Sequence, residues 1–427
     1  MPKPSCTQQS AANPHSVPHA PVGRTRLQPL FIIAAAYVAV GANIQGFRAL
    51  FPAVLQDFTI SRGEAGLYTS FFFLSATGAA LLAGRAIDRL GAKSGLLLGV
   101  GCVGLLMALH AIAPWYGLLL ALAFAAGAGF SVITPAVNLG VMEAVTSGRR
   151  ALYMGVAHSG GAVGGFVGAI LLPVVGSALG WRGAVMVSGA FALLMGLTIQ
   201  LFYHGGKRQV SADLPDQPKL SEVLLGVVKD KRLLRVGMFG LCLGMTMSAV
   251  STHFALFLHQ DLGLSETWAG LGLAALLLGG IVGPPGWGWV SDALLGGDRR
   301  RGLSLLGVGA AMMCLVFGLL VGSVQLPLVL LLILAVVLGF VTFSGPGLYF
   351  TTVSEMAPTG RTGVTSGLAL IFARVGIMLS PPLFGALADL TDTYQASWLA
   401  LAAVALSFTG LYRFLSRSES RKGASPL

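Results

Sequence analysis

The chain has 427 residues, 55% hydrophobic and 10% charged, with a formal net charge of +11. A soluble domain carries about 25% charged residues, so this composition excludes an ordinary globular protein. The apolar residues fall in continuous runs of about 20, each long enough to cross a bilayer as a helix. Barrel strands would alternate instead, and a helix satisfies its own backbone groups in lipid. The expected class is therefore an all-α integral membrane protein. Its 59 glycines suit close helix–helix packing in a membrane. The cysteines Cys6, Cys102, Cys242 and Cys314 show neither metal-site nor disulfide spacing.

Residues 1–29 are rich in Pro, Ser, Gln and His and read as a disordered tail without the apolar core of a signal peptide. Twelve transmembrane helices follow, predicted at 30–54, 64–84, 95–113, 116–141, 150–175, 183–203, 233–258, 267–291, 303–322, 326–352, 362–388 and 394–415. The polar interval 204–232 links a six-helix bundle over 30–203 to a second over 233–415, and 416–427 forms a tail. With both termini placed in the cytoplasm, cytoplasmic segments hold 23 of the 27 Lys and Arg residues. The outer loops hold only Arg62 and Arg182, and the spans only Arg48 and Arg374. This is the positive-inside pattern. It accounts for the net charge without a nucleic-acid partner, and it puts the protein in a plasma membrane, most simply a bacterial inner membrane.

The halves resemble each other. "EAGLYTSFFFLSATGAALLAGRAID" ends at Asp88, and "TWAGLGLAALLLGGIVGPPGWGWVSD" ends at Asp292. A shift of 204 residues superposes the two, and a shift of 212 brings Glu143 and Arg149 onto Glu355 and Arg361. Parallel six-helix repeats are a transporter design. "GRAIDRLGAKSGLLLG", from Gly84 to Gly99, resembles the signature loop between spans 2 and 3 of the major facilitator superfamily. "GWGWVSDALLGGDRRRG" is a degenerate copy between spans 8 and 9. Within that superfamily, "FPAVLQDFTISRGEAGLYTSFFFL" and "GVAHSGGAVGGFVGAILLPVVGSALGWRGA" look like the monocarboxylate and oxalate–formate branch. The resemblance implies two pseudo-symmetric bundles working by alternating access, and a functional monomer. It also implies that the signature loop, with Gly84, Asp88, Arg89, Gly91 and Lys93, works with Asp292, Glu143, Arg149, Glu355 and Arg361 at an inner gate, where the charged residues of the loop, Asp88 and Arg89 above all, form ion pairs with nearby helix ends. One departure stands out. That branch carries an arginine in span 8, where this chain has Pro284 and places its second arginine in span 11, at Arg374.

Arg48 and Arg374 are the two permanent charges inside spans. A charge there faces the protein interior or a water-filled cavity, and arginine cannot deprotonate. No span carries a carboxylate in its central part. The expected counter-ion is therefore the cargo, a small organic anion gripped by bidentate hydrogen bonds. The family likeness points to a monocarboxylate. For Arg48 two other readings stand: reaching the interface, or pairing with Asp57. Asn43, Gln45, Tyr68, Asn138 and Tyr349 are candidate polar contacts for the anion, or else helix-packing groups. His158 and His253 are candidate proton carriers, since histidine titrates near neutrality. Seven prolines, Pro135, Pro173, Pro284, Pro285, Pro346, Pro381 and Pro382, interrupt the spans and allow kinks. No nucleotide-binding Gly-x4-Gly-Lys loop or catalytic cluster is present in the sequence, so neither a cofactor nor an enzymatic role is expected. An exporter of amphiphiles and a membrane sensor with a transporter fold are the competing readings.

Overall fold

The computed structural model describes residues 27–145, 150–204, 231–320, 326–356 and 362–422; Arg149 and Arg361 lie outside the described residues, as does most of the 204–232 linker. Helices account for nearly all of the described chain, and ten of them are long and apolar enough to cross a membrane. In chain order the elements are α1 (Leu27–Ile44), a 3-10 turn (Gly46–Leu50), α2 (Phe51–Phe58), α3 (Arg62–His110), α4 (Tyr116–Ser131), α5 (Ile133–Ala144) and α6 (Arg150–Phe202). The second half contains α7 (Lys231–Gln260), α8 (Glu266–Trp289), α9 (Arg299–Leu320), α10 (Leu328–Phe343), α11 (Gly345–Met356), α12 (Thr362–Thr391) and α13 (Gln395–Lys422).

Two elements are too long for one crossing. The 49 residues of α3 would extend about 74 Å at 1.5 Å per residue, against a hydrocarbon core of about 30 Å. Both α3 and α6 fold back on themselves, at Gly91 (φ 81°) and Gly180 (φ 70°), in the left-handed region that favours glycine. The two arms of α3 return to the same end, where the Tyr68 hydroxyl lies 3.1 Å from His110 Nε2. Each element therefore supplies two spans, which brings the helices to the predicted twelve.

The predicted single helix over 30–54 is instead broken. Pro52 has no N–H, and its ring would strike the carbonyl of residue 48 in a continuous helix. The Arg48 carbonyl accepts the Phe51 N–H instead, in a 3-10 turn. Pro135 and Pro346 lie just past the breaks between α4 and α5 and between α10 and α11. By contrast, Pro173, Pro284, Pro285, Pro381 and Pro382 sit inside continuous helices. The expectation that all seven prolines interrupt spans thus holds for two of them, while Pro52 adds a third break.

The cores show how the halves meet. At the end carrying Arg62, one hydrophobic cluster runs through both halves, from Phe47 and Tyr68 to Phe254 and Trp398. At the end carrying Asp88 the clusters separate. One lies within the first half, around Ile33 and Leu96, and another within the second half, around Phe239 and Leu303. Among the described residues, the hydrophobic cores of the two bundles join at the Arg62 end and separate at the Asp88 end. Glycines let α1 seat directly on α6: a Cβ at Gly164 would overlap the Val38 carbonyl. Gly164→Val should cost about 1–3 kcal/mol by overpacking, read as a lower unfolding temperature of the purified protein in detergent.

Candidate functional site

The three breaks meet at one level of the bundle. Arg48 sits in the 3-10 turn, while Phe130 and Phe343 lie beside the breaks in the fourth and tenth spans. Together they border a cavity of about 220 Å³ between the halves. The first half contributes Tyr37, Gln45 and Phe73, and the second contributes Ser248, Ser251 and Ile377.

Arg48 is 6% exposed. Its Nη1 donates to Ser251 Oγ across the interface at 2.7 Å, and to Gln45 Oε1 at 3.4 Å. No carboxylate among the described residues pairs with it. Asp57, the acidic residue nearest in sequence, is held by the Arg182 guanidinium and by Trp181 Nε1 at 3.1 Å. Burial and the engagement of Asp57 overturn both alternative readings of Arg48: it neither reaches the interface nor pairs with Asp57.

Arg374 lies nearby on α12. Its guanidinium stacks on the Phe73 ring, 5.5 Å from the centroid, and its Nη1 is buried without a hydrogen-bond partner. Ser248 Oγ donates to the Ile377 carbonyl at 2.9 Å, which sets the register of α7 against α12. Ser248 is three residues from Ser251, and Ile377 three from Arg374. At 1.5 Å per residue, the Arg374 backbone lies about 9 Å from the Arg48–Ser251 contact, toward the Asp88 end. The two unpaired guanidinium groups therefore occupy different depths of one region.

The sealed end is closed by a second set of polar contacts, none of which was anticipated from the sequence. Asp389, at the end of α12, accepts the backbone N–H groups of Arg62 and Gly63 at 2.9 and 2.8 Å, capping the start of α3. The Arg62 side chain donates to the Ala388 carbonyl at 2.7 Å and to Gln260 Oε1 at 2.8 Å. It also pairs with Asp261 at 3.8 Å and stacks on Tyr394. Thr69 bonds Thr252 at 3.1 Å, and Ser70 bonds the Met378 carbonyl. A Cβ at Gly66 would overlap the backbone at Pro381–Pro382.

A family model for the Major Facilitator Superfamily matches residues 33–381. The chain belongs to this superfamily. It is 27% identical to rat "Monocarboxylate transporter 13" over 339 residues, which is 76% of this chain and 73% of that one. It is 22% identical to the "Hexuronate transporter" of Bacillus subtilis, over 83% of this chain and 86% of that one. Among solved structures it matches a bacterial homologue of the human lysosomal transporter Spinster, in an inward-facing and unoccupied conformation. That match has a TM-score of 0.76 and 16% identity, and it covers 95% of this chain and all of the other. The chain is thus a multi-pass integral membrane transporter of the secondary type, resembling the monocarboxylate branch.

The other sequence-derived candidates divide on this superfamily frame. Gln45 lines the cavity with Arg48. Asn43 does not; its Nδ2 donates to the carbonyls of Ala39 and Ser188 at 2.9 and 3.0 Å, tying α1 to α6. Tyr68 bonds His110 Nε2, and Tyr349 donates to the Ala369 carbonyl at 3.0 Å. Neither tyrosine borders the cavity. Asn138 Oδ1 lies 2.7 Å from His158 Nε2, and the His158 ring meets the edge of Tyr37, which does line it. His253 is fully buried between the Pro381 carbonyl, 2.8 Å from Nε2, and the Tyr394 hydroxyl, 3.2 Å from Nδ1.

At the parted end, Asp88 and Arg89 are exposed and form no ion pair among the described residues. Arg149 and Arg361, two of the partners expected at the inner gate, lie outside the described residues. Gly84 faces open space, Gly91 makes the turn, and Lys93 donates to the Gln200 carbonyl at 2.9 Å. In the second half Arg299 pairs with Asp292 at 2.6 Å and with Glu355 at 3.4 Å, and Glu143 of the first half is exposed. Tyr37, Ser251 and His110 were not singled out in the sequence. Only the helical spacing of Tyr37 from Arg48, 11 residues or about three turns, offered a signal.

Proposed function

We propose that the protein carries a small organic anion, with a carboxylate as its charged group, between two bundles that open alternately to the two sides of the membrane. The observation that carries this reading is Arg48: buried, at the cavity wall, and without a carboxylate partner among the described residues. A guanidinium in that position has donors to spare and a field that only an anion neutralises. The relatives named for monocarboxylate and hexuronate transport handle carboxylates by those names, which supports the same chemistry here. The charge distribution puts the Asp88 end in the cytoplasm, so the parted cores correspond to an inward-facing state. Arg374, about two turns deeper toward that side, then receives the anion as it leaves Arg48. An amphiphile exporter fits less well, because two buried guanidinium groups repel lipophilic cations.

The test is uptake of labelled organic acids into proteoliposomes holding the purified protein. Saturable uptake of a carboxylate, lost in Arg48→Gln, supports the reading; saturable uptake of lipophilic cations with no carboxylate transport would refute it. Coupling to protons falls to His158 in this scheme, because it bonds Asn138 and touches Tyr37 at the cavity wall. His158→Gln should abolish accumulation driven by a pH gradient while leaving anion exchange within about threefold, as expected when only a proton-transfer group is lost. Unchanged pH-driven accumulation would remove His158 from the mechanism.

A further inference from the structure

Resting on the assignment of Arg48 as the carboxylate anchor, the chemistry of the cavity wall narrows the cargo further. Its polar capacity is small and gathered at one end. Ser251 Oγ accepts from Arg48 and donates to the Ser248 carbonyl at 3.3 Å, while Ser248 Oγ donates to the Ile377 carbonyl. Both hydroxyl hydrogens are thus spent inside the protein. Gln45 Oε1 is engaged by Arg48. What a ligand can still use is the remainder of the Arg48 guanidinium and the Gln45 amide nitrogen, because the Tyr37 hydroxyl is engaged by Thr134. A polyhydroxylated acid would bring several donors and acceptors into this wall and leave most of them unpaired. Each unpaired group weakens binding by on the order of tenfold.

The rest of the wall is aromatic and aliphatic, and its rings are held in place. The Arg374 guanidinium stacks on Phe73, and the Tyr37 and His158 rings pack edge to face. Phe130 and Phe343, 213 residues apart in the two repeats, sit at the equivalent breaks of spans 4 and 10. They present an aromatic ring from each half to the same space. Val40, Ile44 and Met247 complete the apolar lining. The volume, about 220 Å³, is below the roughly 300–1,000 Å³ of drug-sized pockets. We infer that the carried anion is an aryl or arylalkyl carboxylate: one carboxylate at Arg48, and a flat apolar body between the Phe130 and Phe343 rings of the two halves. Hydroxylated sugar acids and small polar hydroxy acids are disfavoured.

Binding to the full-length purified protein, measured by calorimetry and thermal stabilisation, tests this with five probes: phenylacetate, phenylpropionate, phenylacetamide, lactate and glucuronate. Phenylacetate should bind at least about tenfold tighter than lactate or glucuronate, since apolar contact and unpaired hydroxyls act in the same direction. Phenylacetamide should not bind detectably. Phe343→Leu and Phe130→Leu, which keep an apolar side chain but remove the ring, should each weaken phenylacetate about 3- to 10-fold, and by more than they weaken lactate. If glucuronate or lactate binds as tightly as phenylacetate, and Arg48→Gln abolishes that binding, the aryl inference fails while the anion reading stands. If phenylacetamide binds as well as phenylacetate and Arg48→Gln changes neither, the anion reading itself fails. If neither phenylacetate nor its longer homologue phenylpropionate binds, the aryl inference is overturned as well.

Discussion

Arg48→Gln should abolish anion transport and at the same time raise the unfolding temperature of the empty protein. The two effects share one cause. A buried guanidinium without a counter-charge is unfavourable by at least a few kcal/mol on membrane-insertion scales, and glutamine is uncharged. Its amide can still meet Ser251 and Gln45, the two groups that Arg48 contacts. The apo fold therefore gains what the charge had withheld. Binding loses the charge-assisted fork, and removing one partner of a buried charged pair costs about 2–5 kcal/mol, or roughly 30- to 4,000-fold in affinity. Arg48→Lys keeps the charge but not the planar fork, and should fall between. Uptake into proteoliposomes and thermal unfolding in detergent check the pair of effects. A structural arginine would give the opposite stability sign: substitution would lower the unfolding temperature.

That sign follows from what the sequence already exposed: a cation in an apolar run with no acidic partner at helical spacing. The span count, the two repeats and the charge asymmetry were legible for the same reason, since hydropathy and the cost of buried charge act locally along the chain. The rest depended on contacts between distant segments. Asn43 looked like a companion of Arg48, yet it bonds the Ser188 carbonyl 145 residues away. Tyr68 and Tyr349 had the right chemistry but turn to His110 and to the Ala369 carbonyl. Phe73 lies in a run of three phenylalanines, and only the packing of α3 on α12 brings it over Arg374. Pro52 fell inside the predicted first span, whereas its missing N–H shapes the turn that presents Arg48. Arg62 and Asp389 were invisible as a pair because 327 residues separate them.

Breaking that pair should drive the transporter toward the opposite state, in which the Arg62 end is open. In the sealed form Asp389 caps two N–H groups at the start of α3, and Arg62 reaches Ala388, Gln260 and Asp261. All of these contacts join the two halves, so all are lost when this end opens. Asp389→Ala leaves the first N–H groups of α3 without their acceptor. Arg62→Ala removes the side-chain contacts while leaving the backbone cap in place. Hydrogen bonds to charged groups contribute about 1.5–3 kcal/mol each, so either variant should shift the equilibrium at least about tenfold, and the double variant further. The measurement is the rate at which a membrane-impermeant thiol reagent modifies Thr252→Cys, in a background with the native cysteines replaced. Thr252 is fully buried beneath the sealed end, bonded to Thr69. Modification should accelerate about tenfold in the single variants. Transport should slow because the return to the state sealed at the Arg62 end becomes uphill, while anion binding at Arg48 persists. Equal modification rates in the parent and in both variants would mean that the Arg62–Asp389 contacts do not hold this end closed. The seal would then rest on apolar packing alone, the Phe254 and Trp398 cluster and the close approach of Gly66 to Pro381.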